Sequence, residues 1–460
     1  MNHATRPSRP STLLSLLVLA LWACEPSEPS GGASTGDAAG AQDSVVADAG
    51  ADAASDLGGH AGGADDGTGD GLGGVDGASG DAAGADDGGA DDTGAPDGAG
   101  IDDAATDAAD AGDWQPAVGL TTLTVQTPAG RTLPGIVWYP AVTDGTFTPE
   151  VFLGLLAGQG LRDAPVAEGG PWPLIVFSHG SQAFKEQSLF LVEGLTRHGY
   201  VVAAVDHIGN TFMTQNEEKM GEVARERPRD ISALIDRLMA PESGDPSWFS
   251  THIDFDRIAA AGHSFGGYTV MALAGGVLSV PQSVVDECAL KPKDLICSVI
   301  SQGDPGPLDL RDPRVDAVIA MTPGGYMAFR EEGLTSVAVP TMIMGGLADD
   351  VTTMDDEILP FYEGIPGTKY LWTLAHGQHF TWSDFCLIVP FLSEELAAQF
   401  GADLCKPDAP LPIATAHTLI FDMSLAFFDA WLRDDQDAAA RLQPSWAEAQ
   451  SPEVGMSVSP

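Results

Sequence analysis

From position 121 to about 435 the chain alternates short apolar, β-branched runs with longer stretches whose apolar residues recur at helical spacing. Strands are predicted at 121–127 (TTLTVQT), 135–140 (GIVWYP), 173–178 (PLIVFS), 200–206 (YVVAAVD), 257–262 (RIAAAG), 315–321 (VDAVIAM), 340–346 (PTMIMGG) and 369–374 (KYLWTL). Helices are predicted near 184–198, 222–239, 266–276, 355–362 and 415–433. From the third run onward the strands are apolar without alternation, the pattern of strands covered on both faces. Such alternation of strand and helix implies an α/β fold, with a mostly parallel eight-stranded sheet and helices on both faces. Residues 281–313, rich in Pro and Asp, break the rhythm and read as an excursion beside the site.

The start of the chain follows no such pattern. Residues 25–113 hold 20 Asp and 2 Glu, no Lys or Arg, and no aromatic side chain. With almost no large apolar group to offset the entropy of folding, this segment is expected to be a disordered acidic tether, roughly 50 Å in r.m.s. reach. Its Asp residues keep neither a fixed period nor calcium-loop spacing, which argues against a calcium-binding repeat. Before it, Arg6 and Arg9 precede an apolar run from Leu13 to Leu21, too short to span a bilayer and arranged as an export signal. Leu21-Trp22-Ala23-Cys24 resembles the lipobox of bacterial lipoproteins, which would make Cys24 an acylated N-terminus and tie the protein to a membrane by a lipid anchor. An ordinary cleaved signal, and hence secretion, is the alternative. The expected organisation is a signal peptide at 1–24, a linker at 25–113 and a single α/β domain at 114–460. A net charge of −45 with no basic run excludes nucleic acid as a partner.

Four further cysteines, Cys288, Cys297, Cys386 and Cys405, are even in number and lie in the exported part, which fits two disulfides. Three pairings are possible, and short separations favour Cys288 with Cys297 and Cys386 with Cys405. With no C-x-x-C and no His at ligand spacing, no metal site is expected.

The chemistry centres on Gly262-His263-Ser264-Phe265-Gly266-Gly267, between a predicted strand and a predicted helix. A serine hydroxyl becomes a nucleophile only when exposed, near a base and close to oxyanion donors. A tight strand-to-helix turn exposes it, and that turn needs small residues two before and two after the serine. The second element, Phe177-Ser178-His179-Gly180-Ser181-Gln182, follows the third strand, where one backbone oxyanion donor is expected. Ser181 and Phe265 are therefore the candidate donors. His179 falls too early for the order serine, acid, histidine, and is expected to shape its loop. The acid is expected after a late strand, at Leu347-Ala348-Asp349-Asp350; the turn favours Asp349, with Asp350 the alternative. The base is expected after the last strand, where His379 follows a glycine turn and His376, nearer the strand, reads as structural. Asp206, His207 and Gly209-Asn210-Thr211 are expected to line or brace the pocket.

Taken together, PLIVFSHGSQAF, RHGYVVAAVDHIGNT, RPRDISALIDRL, DRIAAAGHSFGGYTV, GGLADDVT and GQHFTWSDFC make residues 120–435 resemble the α/β-hydrolase superfamily. Within it they resemble the bacterial predicted dienelactone hydrolase group and platelet-activating-factor acetylhydrolase. The resemblance implies an α/β-hydrolase fold, hydrolysis of small-molecule or lipid carboxylic esters through an acyl-serine intermediate, and no metal or organic cofactor. Two features depart from it. Ser264 stands where a true dienelactone hydrolase carries cysteine, and the stretch around Thr322, where the acetylhydrolase places its acid, holds no carboxylate. The resulting expectation is an exported serine esterase built on Ser264, Asp349 and His379. A peptidase of the same fold and a non-catalytic displayed protein are the competing readings.

Overall fold

The computed structural model describes residues 116–460 except 217–218, 280–281, 291–306, 400–404 and 406–409. The signal and tether expected at 1–113, with Cys24, and also Cys297, lie outside the described residues. Thirteen strands are described: β1 Ala117–Gln126, β2 Thr132–Ala141, β3 Pro149–Phe152, β4 Leu156–Arg162, β5 Trp172–Ser178, β6 Val201–Val205, β7 Ile253–His263, β8 Val277–Leu278, β9 Leu308–Asp309, β10 Val315–Met321, β11 Thr341–Gly346, β12 Lys369–Leu374 and β13 Val454–Ser459. Eleven form one sheet in the order β13-β12-β11-β10-β7-β5-β6-β2-β1-β4-β3. The run from β12 to β6 is parallel throughout, and antiparallel pairs flank it at β13, β2 and β3.

Every residue of β5, β6 and β11 is buried. Successive side chains pass to opposite faces, so Leu174 and Val176 join one core while Ile175 and Phe177 join the other. On the first face lie helices Met220–Met239, Phe265–Leu273 and Tyr326–Leu334; on the second lie Leu189–Arg197 and Ile413–Leu432. All eight expected strands are present, and the sheet runs past them to eleven. The additions, β3, β4 and β13, lie at the two margins of the sheet and contain Gly, Pro or Ser, whose weak β propensity conceals them until a neighbouring strand pairs with them. The helix expected at 184–198 begins only at Leu189, because 184–187 form a turn in which Gln187 N–H donates to the Phe184 carbonyl. The excursion after the Phe265–Leu273 helix is pinned at its base by the antiparallel pair β8–β9.

Cys386 and Cys405 form a disulfide across 19 residues. Cys288 is buried, and the expected Cys288–Cys297 pairing rests on a residue outside the described set. Closing a loop of that length removes about 2–4 kcal/mol of freedom from the unfolded chain. Cys386→Ser, or reduction, is therefore expected to lower the unfolding free energy by about that amount in denaturant melts. A melt unchanged by reductant would refute the contribution.

Candidate active site

The C-terminal ends of four strands in the parallel run, β5, β7, β11 and β12, deliver the candidate residues, the side of an open α/β sheet where ligands bind. Ser264 follows β7 directly and has φ +57°, ψ −115°, a left-handed backbone that a non-glycine residue adopts only under constraint. Its N–H donates to the Met321 carbonyl at 2.8 Å, and its own carbonyl accepts from Tyr268 N–H at 3.2 Å. The flanking glycines are there for space. A Cβ on Gly262 would collide with the Gly266 carbonyl, and one on Gly266 with the Ser178 carbonyl.

His379 Nε2 lies 3.0 Å from Ser264 Oγ, and His379 Nδ1 lies 2.9 Å from Asp349 Oδ2. The Asp349 carboxylate also accepts from Val351 N–H at 2.8 Å, Thr352 N–H at 3.0 Å and Thr352 Oγ1 at 2.9 Å. Burial works to raise its pKa, but these bonds and His379 prevail, and the carboxyl ends below its ordinary value. An ionised Asp349 holds the proton of His379 on Nδ1 and leaves Nε2 free to accept the serine proton. The two turns are in contact: Ala348 N–H donates to the Gly377 carbonyl, and Gly346 has no room for a Cβ against it. His379 is held by its own loop, where Trp382 is fully buried edge-on against Trp372. Asp350 is exposed, and His376 pairs at the surface with Glu453, 2.8 Å away.

On the opposite side of Ser264, Gly180 N–H donates to Gln187 Oε1 at 2.6 Å and Gln182 N–H to the Asn210 carbonyl at 3.0 Å. Those bonds occupy the N–H groups on either side of Ser181. Phe265 is the first residue of its helix, where N–H groups have no partner within the helix. Gln187 passes the contact on: its Nε2 lies 2.6 Å from His263 Nδ1, and His263 Nε2 lies 2.8 Å from the His379 carbonyl. A carbonyl only accepts, so His263 carries its proton on Nε2 and accepts from Gln187 on Nδ1. Burial, then His379, depress the His263 pKa to about 3, keeping the ring neutral. This chain ties the Ser181 loop to the His379 loop through the residue beside the serine.

Beneath that loop lies a fully buried arginine. Arg227 donates to the His179 carbonyl, to Ser178 Oγ at 3.1 Å, to Asn210 Oδ1 at 2.7 Å and to Thr269 Oγ1 at 3.0 Å, and its guanidinium sits 4.8 Å from the centre of the Phe265 ring. His179 donates from Nδ1 to the Gly180 carbonyl at 2.7 Å and accepts at Nε2 from His207 N–H at 3.0 Å. His207 in turn bridges Ser178 Oγ and Asp230, each at 2.9 Å. Burial, then Arg227, hold both imidazoles well below their ordinary pKa. His207 and Asn210 brace the site, as their position after the fourth strand suggested, whereas Asp206 pairs with Lys185 at 3.0 Å. Arg227, Gln187, Asp230 and Thr352 escaped the sequence reading. Their signals were present in RPRDISALIDRL, in KEQS and in DDVT, but nothing in those strings shows that the side chains turn inward. Among the described residues no three His, Cys, Asp or Glu side chains group as a metal site requires.

With this arrangement in place, comparison with known proteins separates fold from activity. A ferulic acid esterase from Streptomyces cinnamoneus superposes with a TM-score of 0.52 at 23% identity, over 76% of this chain and 98% of that one. The chain has the α/β-hydrolase fold. A family model described as platelet-activating factor acetylhydrolase, isoform II, matches residues 146–231. Platelet-activating factor acetylhydrolase of Bos taurus is 28% identical over 159 residues, 26% of this chain and 36% of that protein. Cutinase est1 of Thermobifida alba is 25% identical over 215 residues, 46% of this chain and 55% of that one. The match thus spans between about a third and about half of the length of these relatives.

Proposed function

We propose that the protein is an exported serine hydrolase that cleaves carboxylic esters through an acyl-serine intermediate. The observation that carries this reading is the hydrogen-bonded line from Ser264 through His379 to Asp349, starting at a strained strand-to-helix turn. Ser264 Oγ attacks the ester carbonyl as its proton passes to His379 Nε2, and the carbonyl oxygen becomes an oxyanion held by Ser181 and Phe265 N–H. The carbon–alkoxide bond then breaks, and His379 returns the proton to the leaving oxygen. Water, deprotonated by the same imidazole, releases the acid and restores Ser264. The relatives act as support, since their names are those of ester hydrolases. A disulfide at Cys386–Cys405 supports export to an oxidising compartment. On this reading Cys24 carries a lipid anchor and residues 25–113 form the spacer.

A fluorophosphonate probe tests the chemistry on the full-length protein. Stoichiometric labelling of the parent, lost in Ser264→Ala, is expected. An unlabelled parent of native melting temperature would point instead to a displayed, non-catalytic fold. The anchor has its own test: Cys24→Ala is expected to move the protein from the membrane fraction to the soluble one.

A further inference from the structure

A cavity of about 370 Å³ opens beside the candidate oxyanion loop, with Ser181 at one edge and Phe380, the residue after His379, at another. Its size lies in the lower range of small-molecule sites. Four separate segments build it: the β3–β4 hairpin with Leu155 and Leu156, the turn after β5 with Phe184, the stretch after β6 with Phe212, and the base-bearing loop with Phe380, Phe385 and Ile388. Among the described residues the lining holds no Lys, Arg or His. Three of its polar side chains are engaged elsewhere. Gln187 is used at both ends by Gly180 and His263, Ser383 Oγ donates to the Phe380 carbonyl at 3.1 Å, and the buried Asp384 carboxylate accepts from Phe190 N–H at 3.2 Å. With no cation among the described lining residues to meet a phosphate or carboxylate, and walls made mostly of Leu, Ile and Phe, the cavity selects an uncharged apolar group. Leu153 makes the same point at the mouth. It is 66% exposed at the hairpin tip with φ +53°, an unfavourable place and backbone for leucine unless something apolar covers it.

We propose that this cavity binds a bulky apolar substituent of the ester, an alkyl chain of about six or more carbons or an aromatic ring, and so sets the substrate class. The inference rests on the ester-hydrolase reading above. Each methylene buried there is worth roughly fourfold in kcat/KM until the cavity is filled. The wall that carries Phe380 to Ile388 also carries Cys386 of the Cys386–Cys405 disulfide.

The test uses the full-length protein and two ester series: p-nitrophenyl acetate, butyrate, hexanoate and octanoate, and acetates of ethanol, hexanol and 2-phenylethanol. At least a 30-fold rise in kcat/KM across one series is expected; the acyl series rising places the acyl group in the cavity, and the alcohol series rising places the alcohol there. Leu155→Trp, at a part-exposed wall position, is expected to cut the favoured ester at least tenfold while changing p-nitrophenyl acetate less than threefold. Leu153→Asp is expected to raise KM for the favoured ester several-fold at unchanged kcat. Acetate hydrolysis with both series flat, or variants that lower all esters in equal proportion, would overturn the cavity assignment alone. No turnover of any ester together with no fluorophosphonate labelling would overturn the ester reading and this inference with it.

Discussion

Asp349→Asn is expected to lower kcat by about three to four orders of magnitude while shifting the melting temperature by no more than a few degrees. Asn has the shape of Asp, and its carbonyl oxygen can still accept from Val351 and Thr352 N–H, so the turn survives. The amide cannot stabilise an imidazolium. Its N–H₂, placed near His379 Nδ1, also favours the tautomer whose proton sits on Nε2, facing Ser264 and blocking proton acceptance. Asp350→Asn, at an exposed position, is expected to change kcat less than about twofold, and removing His376 likewise, since it is exposed and pairs with Glu453 at the surface. Steady-state kinetics of the three variants decides the assignment. A larger loss in Asp350→Asn than in Asp349→Asn would move the acid by one residue.

The interior of the sheet was legible because β5, β6 and β11 are buried on both faces, the pattern of strands inside a covered parallel sheet. Its margins were not. β4 reads Leu-Ala-Gly-Gln-Gly-Leu-Arg, and it holds its place because Gln159 and Gly160 N–H donate to the Glu193 carboxylate on a helix far along the chain. The same division runs through the site. Ser264, Asp349 and His379 announce themselves because each stands in a turn whose local chemistry, small flanking residues or a strand end, is written in adjacent positions. Gln187 and Arg227 work through partners tens of residues away, His263 and Ser178 among them, and no local pattern records those distances. Thr322 illustrates the converse. It occupies the strand end where the resemblance would place an acid, and here its carbonyl accepts from Thr352 Oγ1 at 3.2 Å, the same hydroxyl that steadies Asp349.

Arg227→Met is expected to destabilise the protein by about 3–5 kcal/mol, the range for breaking a buried charged network by removing one member. Methionine fills most of the volume, but it leaves the His179 carbonyl, Ser178 Oγ, Asn210 Oδ1 and Thr269 Oγ1 without their donor in a region closed to water. Burial has already lowered the Arg227 pKa to about 9, opposed by Asp230, so the guanidinium remains charged at neutral pH and its hydrogen bonds are charge-assisted. Asp230 keeps Arg131 at 2.6 Å, so the variant does not strand a carboxylate, and the loss comes from the four orphaned acceptors. Arg227→Lys is expected to recover only a small part, because a single ammonium cannot reach acceptors spread around a planar fork. Two of those acceptors, Ser178 and His179, lie immediately before the Gly180–Ser181 turn, so the surviving folded fraction is expected to lose kcat as well, through a loosened oxyanion loop, with KM changing less. Urea melts and kinetics on the same preparations test both halves. An Arg227→Met protein within about 1 kcal/mol of the parent would show that the network is satisfied without its cation.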